Sequence, residues 1–186
     1  MTLVILCGPT GVGRSTVIEA GRRRYGWHSV PWHTDRPARA GDTDRIYRTR
    51  REIADVRTAG GFVYCFQFHG FTYGISVDGV ATAISADGAW FTDLLPSSLL
   101  EFPDVPAVRI GLVAESEESL VARLRAAGRG DRQARAVAEQ QLLLAGPDAG
   151  IRLDHVIVST FGAAEIAVDE ISRLPSLCPG ARAGRS

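Results

Sequence analysis

The 186-residue chain is 45% apolar and 23% charged, an ordinary composition for a globular domain with a full core. Its 21 basic residues are all arginine and balance 21 acidic ones, and this zero net charge argues against nucleic acid or an anionic membrane as the main partner. The start MTLVILCG is too short for a secretory leader, no apolar run approaches the ~20 residues of a membrane helix, and Cys7, Cys65 and Cys178 lack zinc or redox spacing, so a cytoplasmic protein with reduced thiols is expected.

TLVILC is a continuous β-branched and apolar run ending in glycine, the pattern of a buried strand in a parallel sheet. RSTVIEAGRRRYG then predicts a helix from about Arg14 to Tyr25. Between them lies CGPTGVGRST, with the spacing of a phosphate-binding P-loop except that Arg14 stands where that pattern has lysine. A chain without lysine explains the exchange as a compositional bias, and arginine keeps the charge while changing a compact ammonium into a planar fork. Gly8, Pro9, Thr10, Gly11, Val12, Gly13, Arg14, Ser15 and Thr16 are therefore the expected ATP-binding loop. Arg14 would reach the β- and γ-phosphates, and Ser15 would be the residue on Mg²⁺.

WHSVPWHT predicts a second strand shortened by Pro31. Residues 36–79 change texture and predict a small β-rich insertion with a hairpin at GFVYCFQFHGFTYGISV. Its opening run, TDRPARAGDTDRIY, carries Arg36, Arg39, Asp42 and Tyr47. Two forks and a phenol suit a dianionic phosphate, although a solvated charged loop has the same appearance. A helix from roughly Val77 to Ala86 leads to the strand AWFTDLL, whose Asp93 either faces a cleft or caps the strand end. AVRIGLVA predicts a buried strand and SEESLVARLRAAG a capped helix. GRGDRQAR follows, with Arg129, Arg132 and Arg135 either on a lid over a transferring phosphoryl group or on a basic helix face. A helix over DRQARAVAEQQLLLAG, a strand LDHVIVST and a helix GAAEIAVDEISRL complete the pattern, and 176–186 is expected to be disordered. The four histidines lack metal-ligand spacing.

Strands alternating with helices predict an α/β three-layer sandwich around a parallel sheet, with a small β-rich lobe inserted near the carboxyl edge of the sheet. The order of GPTGVGRST, DRPARAGDTDRIY, FQFHGFTYG, FTD, GRG and LDHVIV resembles the guanylate kinase family, over residues 3–174. The resemblance implies one kinase domain over 1–175, with an acceptor-binding insertion at 36–79 and a helical lid at 125–140. It implies ATP, Mg²⁺ and a small-molecule phosphomonoester acceptor, with no nucleic acid or membrane partner and a monomer or homodimer. Arg36, Arg39, Tyr47 and Tyr73 would grip the acceptor phosphate, Asp93 would bind its base, and Arg129, Arg132 and Arg135 would act with Arg14 in transfer. The stretch after GRG is a few residues shorter than in that family. Guanine-specific members also carry a glutamate before the hairpin and a hydroxyl residue after its Tyr-Gly; here Tyr64 and Ile75 stand at those positions of the acceptor pocket. HGFTYGI further resembles the ribose 1,5-bisphosphate kinases, whose acceptor has no base. A purine nucleoside monophosphate is the expected acceptor, with ribose 1,5-bisphosphate or a catalytically silent binding module as alternatives.

Overall fold

The chain is seen here in a computed structural model that describes residues 2–39, 42–68 and 70–177, so His69 and Cys178 lie outside the described residues. In chain order the elements are strand β1 (Thr2–Cys7), helix α1 (Arg14–Tyr25), strands β2 (His28–Ser29), β3 (Trp32–Thr34) and β4 (Arg45–Tyr47), helix α2 (Arg50–Thr58), strands β5 (Phe62–Phe68) and β6 (Phe71–Ser76) and helix α3 (Val77–Ser85). They continue with β7 (Ala89–Leu94), α4 (Pro96–Glu101), β8 (Val108–Ala114), α5 (Glu117–Ala126), α6 (Gln133–Ala145), β9 (His155–Ser159) and α7 (Ala164–Ser172).

A five-stranded parallel sheet has the order β2-β7-β1-β8-β9. The run TLVILC is apolar throughout because both faces of β1 are covered. Val4 and Leu6 enter one core with residues of α1, α5 and α7, whereas Leu3, Ile5 and Cys7 enter another with residues of α3 and α4. These are the three layers that the alternating pattern predicts. Burial pushes the Cys7 thiol up to about 12, which keeps it protonated and inert.

WHSVPWHT is two strands in two sheets. Pro31 has no N–H for a ladder bond, and the chain changes sheets there. β2 pairs with β7 in the main sheet. β3 joins a second sheet of order β4-β3-β6-β5, parallel to β4 and antiparallel to β6. This sheet forms a separate lobe within the region expected to bind the acceptor. The lobe also holds α2, which the β-rich reading of 36–79 leaves out. A capping box marks it: Glu52 N–H donates to Thr49 Oγ1 at 3.2 Å, and Thr49 N–H donates to Glu52 at 2.7 Å. At the other end of the chain, Leu177 packs against the main core and Thr2 donates to Ser176 O at 3.1 Å, so the first residues expected in the tail belong to the folded body.

Trp27 stacks on Phe91 with ring centres 4.1 Å apart, directly over Gly21 of α1. A Cβ at Gly21 would lie 1.8 Å from the indole. Gly21→Ala is therefore expected to destabilise the fold by roughly 1–3 kcal/mol, although alanine is the better helix former. Urea unfolding measures it, and an unchanged midpoint would mean that Trp27 is not seated on that glycine.

Candidate phosphoryl-transfer site

Gly11 and Gly13 have φ of 86° and 103°, and Gly13 caps α1 without a side chain over the helix N-terminus. At Gly8 a Cβ would come within 2.5 Å of Leu112 O, so the backbone runs hard against β8. The loop is propped from beneath. Ser159 Oγ donates to Val12 O at 2.8 Å, and Arg123 Nη1 donates to the same oxygen at 3.2 Å, while Arg123 Nη2 donates to Ser159 O. Arg123 is buried, and that burial pulls its pKa down against the opposing pull of Glu115 at 3.7 Å. Its guanidinium lies 5.6 Å from the ring centre of the exposed Phe161. Sequence reading missed Arg123 and Ser159, since 36 residues separate them and neither belongs to a phosphate motif.

Arg14 is folded onto the strand ends. Its Nη1 donates to Gly8 O and, at 2.7 Å, to Leu94 O, and its Nε lies 3.3 Å from Asp93 Oδ2. Asp93, expected in the acceptor pocket, is paired in this structure with Arg14. β7 lies beside β1 with Asp93 opposite Leu6, so the carboxylate emerges next to the P-loop arginine. Ser15, Thr92, Asp93, Asp44 and Arg45 line a narrow cavity of about 30 Å³ between α1 and the lobe. Arg22 of α1 ties the two bodies together by donating to Asp44 and, at 2.7 Å, to Ser29. Mg²⁺ takes hard oxygen donors, and these residues fit it. Thr92 Oγ1 is buried there without a partner, and the Ser15 hydroxyl and Asp93 carboxylate open onto the same cavity.

On the lobe, three of the expected acceptor residues meet at one carboxylate. Arg36 Nη2 reaches Asp42 Oδ1 and Oδ2 at 2.9 and 2.8 Å, Tyr47 donates to Oδ2 at 2.6 Å, and the Arg39 N–H donates to Oδ2 at 2.8 Å. The Arg39 side chain stays exposed. Burial alone would raise the Asp42 carboxyl, but hydrogen bonds from Tyr47, Arg39 and Arg36 hold it below the usual carboxylate range. Burial likewise works against the charge on Arg36, and the bond to Asp42 outweighs it and raises Arg36. Tyr73, opposite Thr34 in the lobe sheet, adds to that effect and stacks on Phe66.

Tyr64, expected in the acceptor pocket, is buried in this structure. It pairs with Ile75 across the hairpin, and both side chains are buried in a cluster with Trp32, Leu94 and Phe102. The Tyr64 hydroxyl points to Glu101, 3.5 Å away. The physical reason is size: a phenol and a butyl group on the inner face of the lobe sheet find enough apolar surface to close the space.

The three arginines expected on a lid part company. Arg135 lies over Phe68 of the hairpin, 4.8 Å from the ring centre, so α6 reaches the lobe. Arg129 is exposed, and Arg132 Nε lies 3.9 Å from Asp131. Glu139, one turn beyond Arg135, is buried and accepts the Ser97 N–H and hydroxyl at 2.8 and 2.7 Å, which caps α4. The sequence signal for α4 was Pro96 at its first turn.

No family model matches this chain. A guanylate kinase of Frankia casuarinae is 42% identical over 79 residues, which spans 40% of this chain and 42% of that protein, less than half its length. A guanylate kinase of Synechococcus is 30% identical over 164 residues, 84% of this chain and 75% of that one. A ribose 1,5-bisphosphate phosphokinase of Rhizobium etli is 27% identical over 132 residues, 68% of this chain and 66% of that one. Among solved structures, a guanylate kinase from Anaplasma phagocytophilum superposes with a TM-score of 0.66 at 19% identity, covering 97% of this chain and 91% of the other. At that identity the superposition speaks for the fold.

Proposed function

The chain belongs to the guanylate kinase family, and on that premise we propose that it transfers the γ-phosphoryl group of ATP to the phosphate of a phosphomonoester acceptor. One observation carries the reading: Ser15, in the first turn of α1, lines one cavity with Asp44 and Arg45, the neighbours in sequence of the cluster in which Arg36, Tyr47 and the Arg39 N–H meet Asp42. Arg22 of α1 donates to Asp44 across the same boundary, and on this reading the P-loop holds the donor phosphates and the Arg36 cluster the acceptor phosphate.

An acceptor phosphate oxygen forms the new bond to the γ-phosphorus as the bond to the β-bridging oxygen breaks, releasing ADP. The chain positions the two partners and neutralises charge, with no covalent step of its own. P-loop N–H groups hold the donor phosphates, and Arg36, Tyr47 and Tyr73 hold the acceptor phosphate. Arg14 moves from Asp93 onto the transferring group, and Arg135 carries α6 over the lobe. Mg²⁺, held by Ser15 and Asp93, would neutralise donor phosphate charge.

Two acceptors fit this class. Guanylate, a purine nucleoside monophosphate, is the acceptor in the names of the guanylate kinase relatives. The packed cluster of Tyr64, Ile75 and Trp32 favours the second, ribose 1,5-bisphosphate, because Tyr64 and Ile75 are buried apolar groups where guanine-specific members carry a glutamate and a hydroxyl residue. A coupled ADP-release assay over GMP, AMP, IMP and ribose 1,5-bisphosphate tests both. Acceptor-dependent ADP release is expected, and its absence with all four would sink the reading. Apolar groups cannot pair with the N1 and N2 donors of guanine, so discrimination among the three nucleotides is expected to stay within about 10–200-fold. A preference for GMP of ~10⁴ would mean that a hydrogen-bonding base site opens on binding.

A further inference from the structure

We propose that Asp42 is an internal stand-in for the acceptor phosphate, a competing anion that makes the clamp select dianionic phosphomonoesters. The inference rests on reading Arg36 and Tyr47 as that clamp. Three residues surround a single oxygen, Asp42 Oδ2: Arg36 at 2.8 Å, Tyr47 at 2.6 Å and the Arg39 N–H at 2.8 Å. A shell of charged and neutral donors around one oxygen is what a phosphate oxygen takes. A second Arg36 nitrogen, Nη1, is occupied by Pro37 O at 3.0 Å, and Arg36 is only 6% exposed. An incoming phosphate therefore meets a guanidinium already in use.

Asp42 can leave without opening a core. It lies between β3 and β4, outside any strand or helix, and its carboxylate is 20% exposed. When it leaves, the donors lose one negative charge and gain whatever the ligand brings. A monoanion exchanges charge for charge and gains little. A dianion keeps the same donors and adds a second charge opposite Arg36, with Arg39 free to turn inward. Asp42 thus sets a threshold that phosphomonoesters pass and phosphodiesters do not.

The test is calorimetric titration of the full chain, without ATP, at mildly alkaline pH. The probes are inorganic phosphate, then a dianion, and dimethyl phosphate, a monoanion. The parent is expected to bind phosphate and give no signal with dimethyl phosphate. Asp42→Asn is expected to bind phosphate about tenfold more tightly and to acquire binding of dimethyl phosphate. Asp42→Ser serves as a second variant, and thermal melts check that both are folded. Weaker or unchanged phosphate binding by both variants would overturn the proposal, leaving Asp42 as a prop for Arg36. A parent that binds no phosphate yet releases ADP with an acceptor would also overturn it, while the kinase reading stands. A parent that does neither would remove both.

Discussion

Arg14→Ala is expected to lower phosphoryl transfer by ~10²-fold or more, the usual cost of removing a group that stabilises charge in the transition state. The geometry adds a second reason. Arg14 Nε lies 3.3 Å from Asp93, so the substitution also leaves an unpaired carboxylate beside the donor phosphates. Arg14→Lys should keep or raise activity, since a compact ammonium fits the loop and still balances Asp93. Steady-state kcat for each variant makes the comparison. If Arg14→Ala turned over like the parent, the loop would not be the donor site.

Arg36→Ala is expected to raise the acceptor KM roughly ten- to hundredfold, as loss of a charge-assisted hydrogen bond does, and to leave the KM for ATP near the parent value. Arg36 is buried against Asp42, so its removal also strands a carboxylate where the acceptor phosphate should sit. Arg39→Ala should cost less, because its side chain is exposed and its clamp contact in this structure comes from the backbone N–H. Separate titrations of ATP and acceptor decide the matter. Equal loss for both ligands in Arg36→Ala would assign that arginine to folding of the lobe.

Much of the site was legible before any coordinates. The strand, glycine spacing and helix of the P-loop are local signals, and β1 and α1 occupy the predicted residues. The cluster of Arg36, Arg39, Asp42 and Tyr47 lies within twelve residues, so one loop and one short strand suffice to bring it together. α2 was equally legible in principle, since Thr49 and Glu52 spell its capping box; the aromatic run that follows drew the reading toward strands.

The sequence by itself determined the alternation of strands and helices, the glycine-rich loop between β1 and α1, and the residue types that gather around Asp42. Each rests on periodicity or spacing within a few turns of chain, where backbone geometry alone dictates which groups are neighbours. Only the tertiary structure decided what these groups face. Asp93 meets Arg14 across 79 positions because β7 lies beside β1, and Arg123 and Ser159 converge under Val12 because the sheet places β9 beside β8. Tyr64 becomes core because the lobe folds its inner face against Phe102 and Leu94. Asp42 becomes the partner of Arg36 because the segment between β3 and β4 brings its carboxylate to a buried guanidinium that needs an anion.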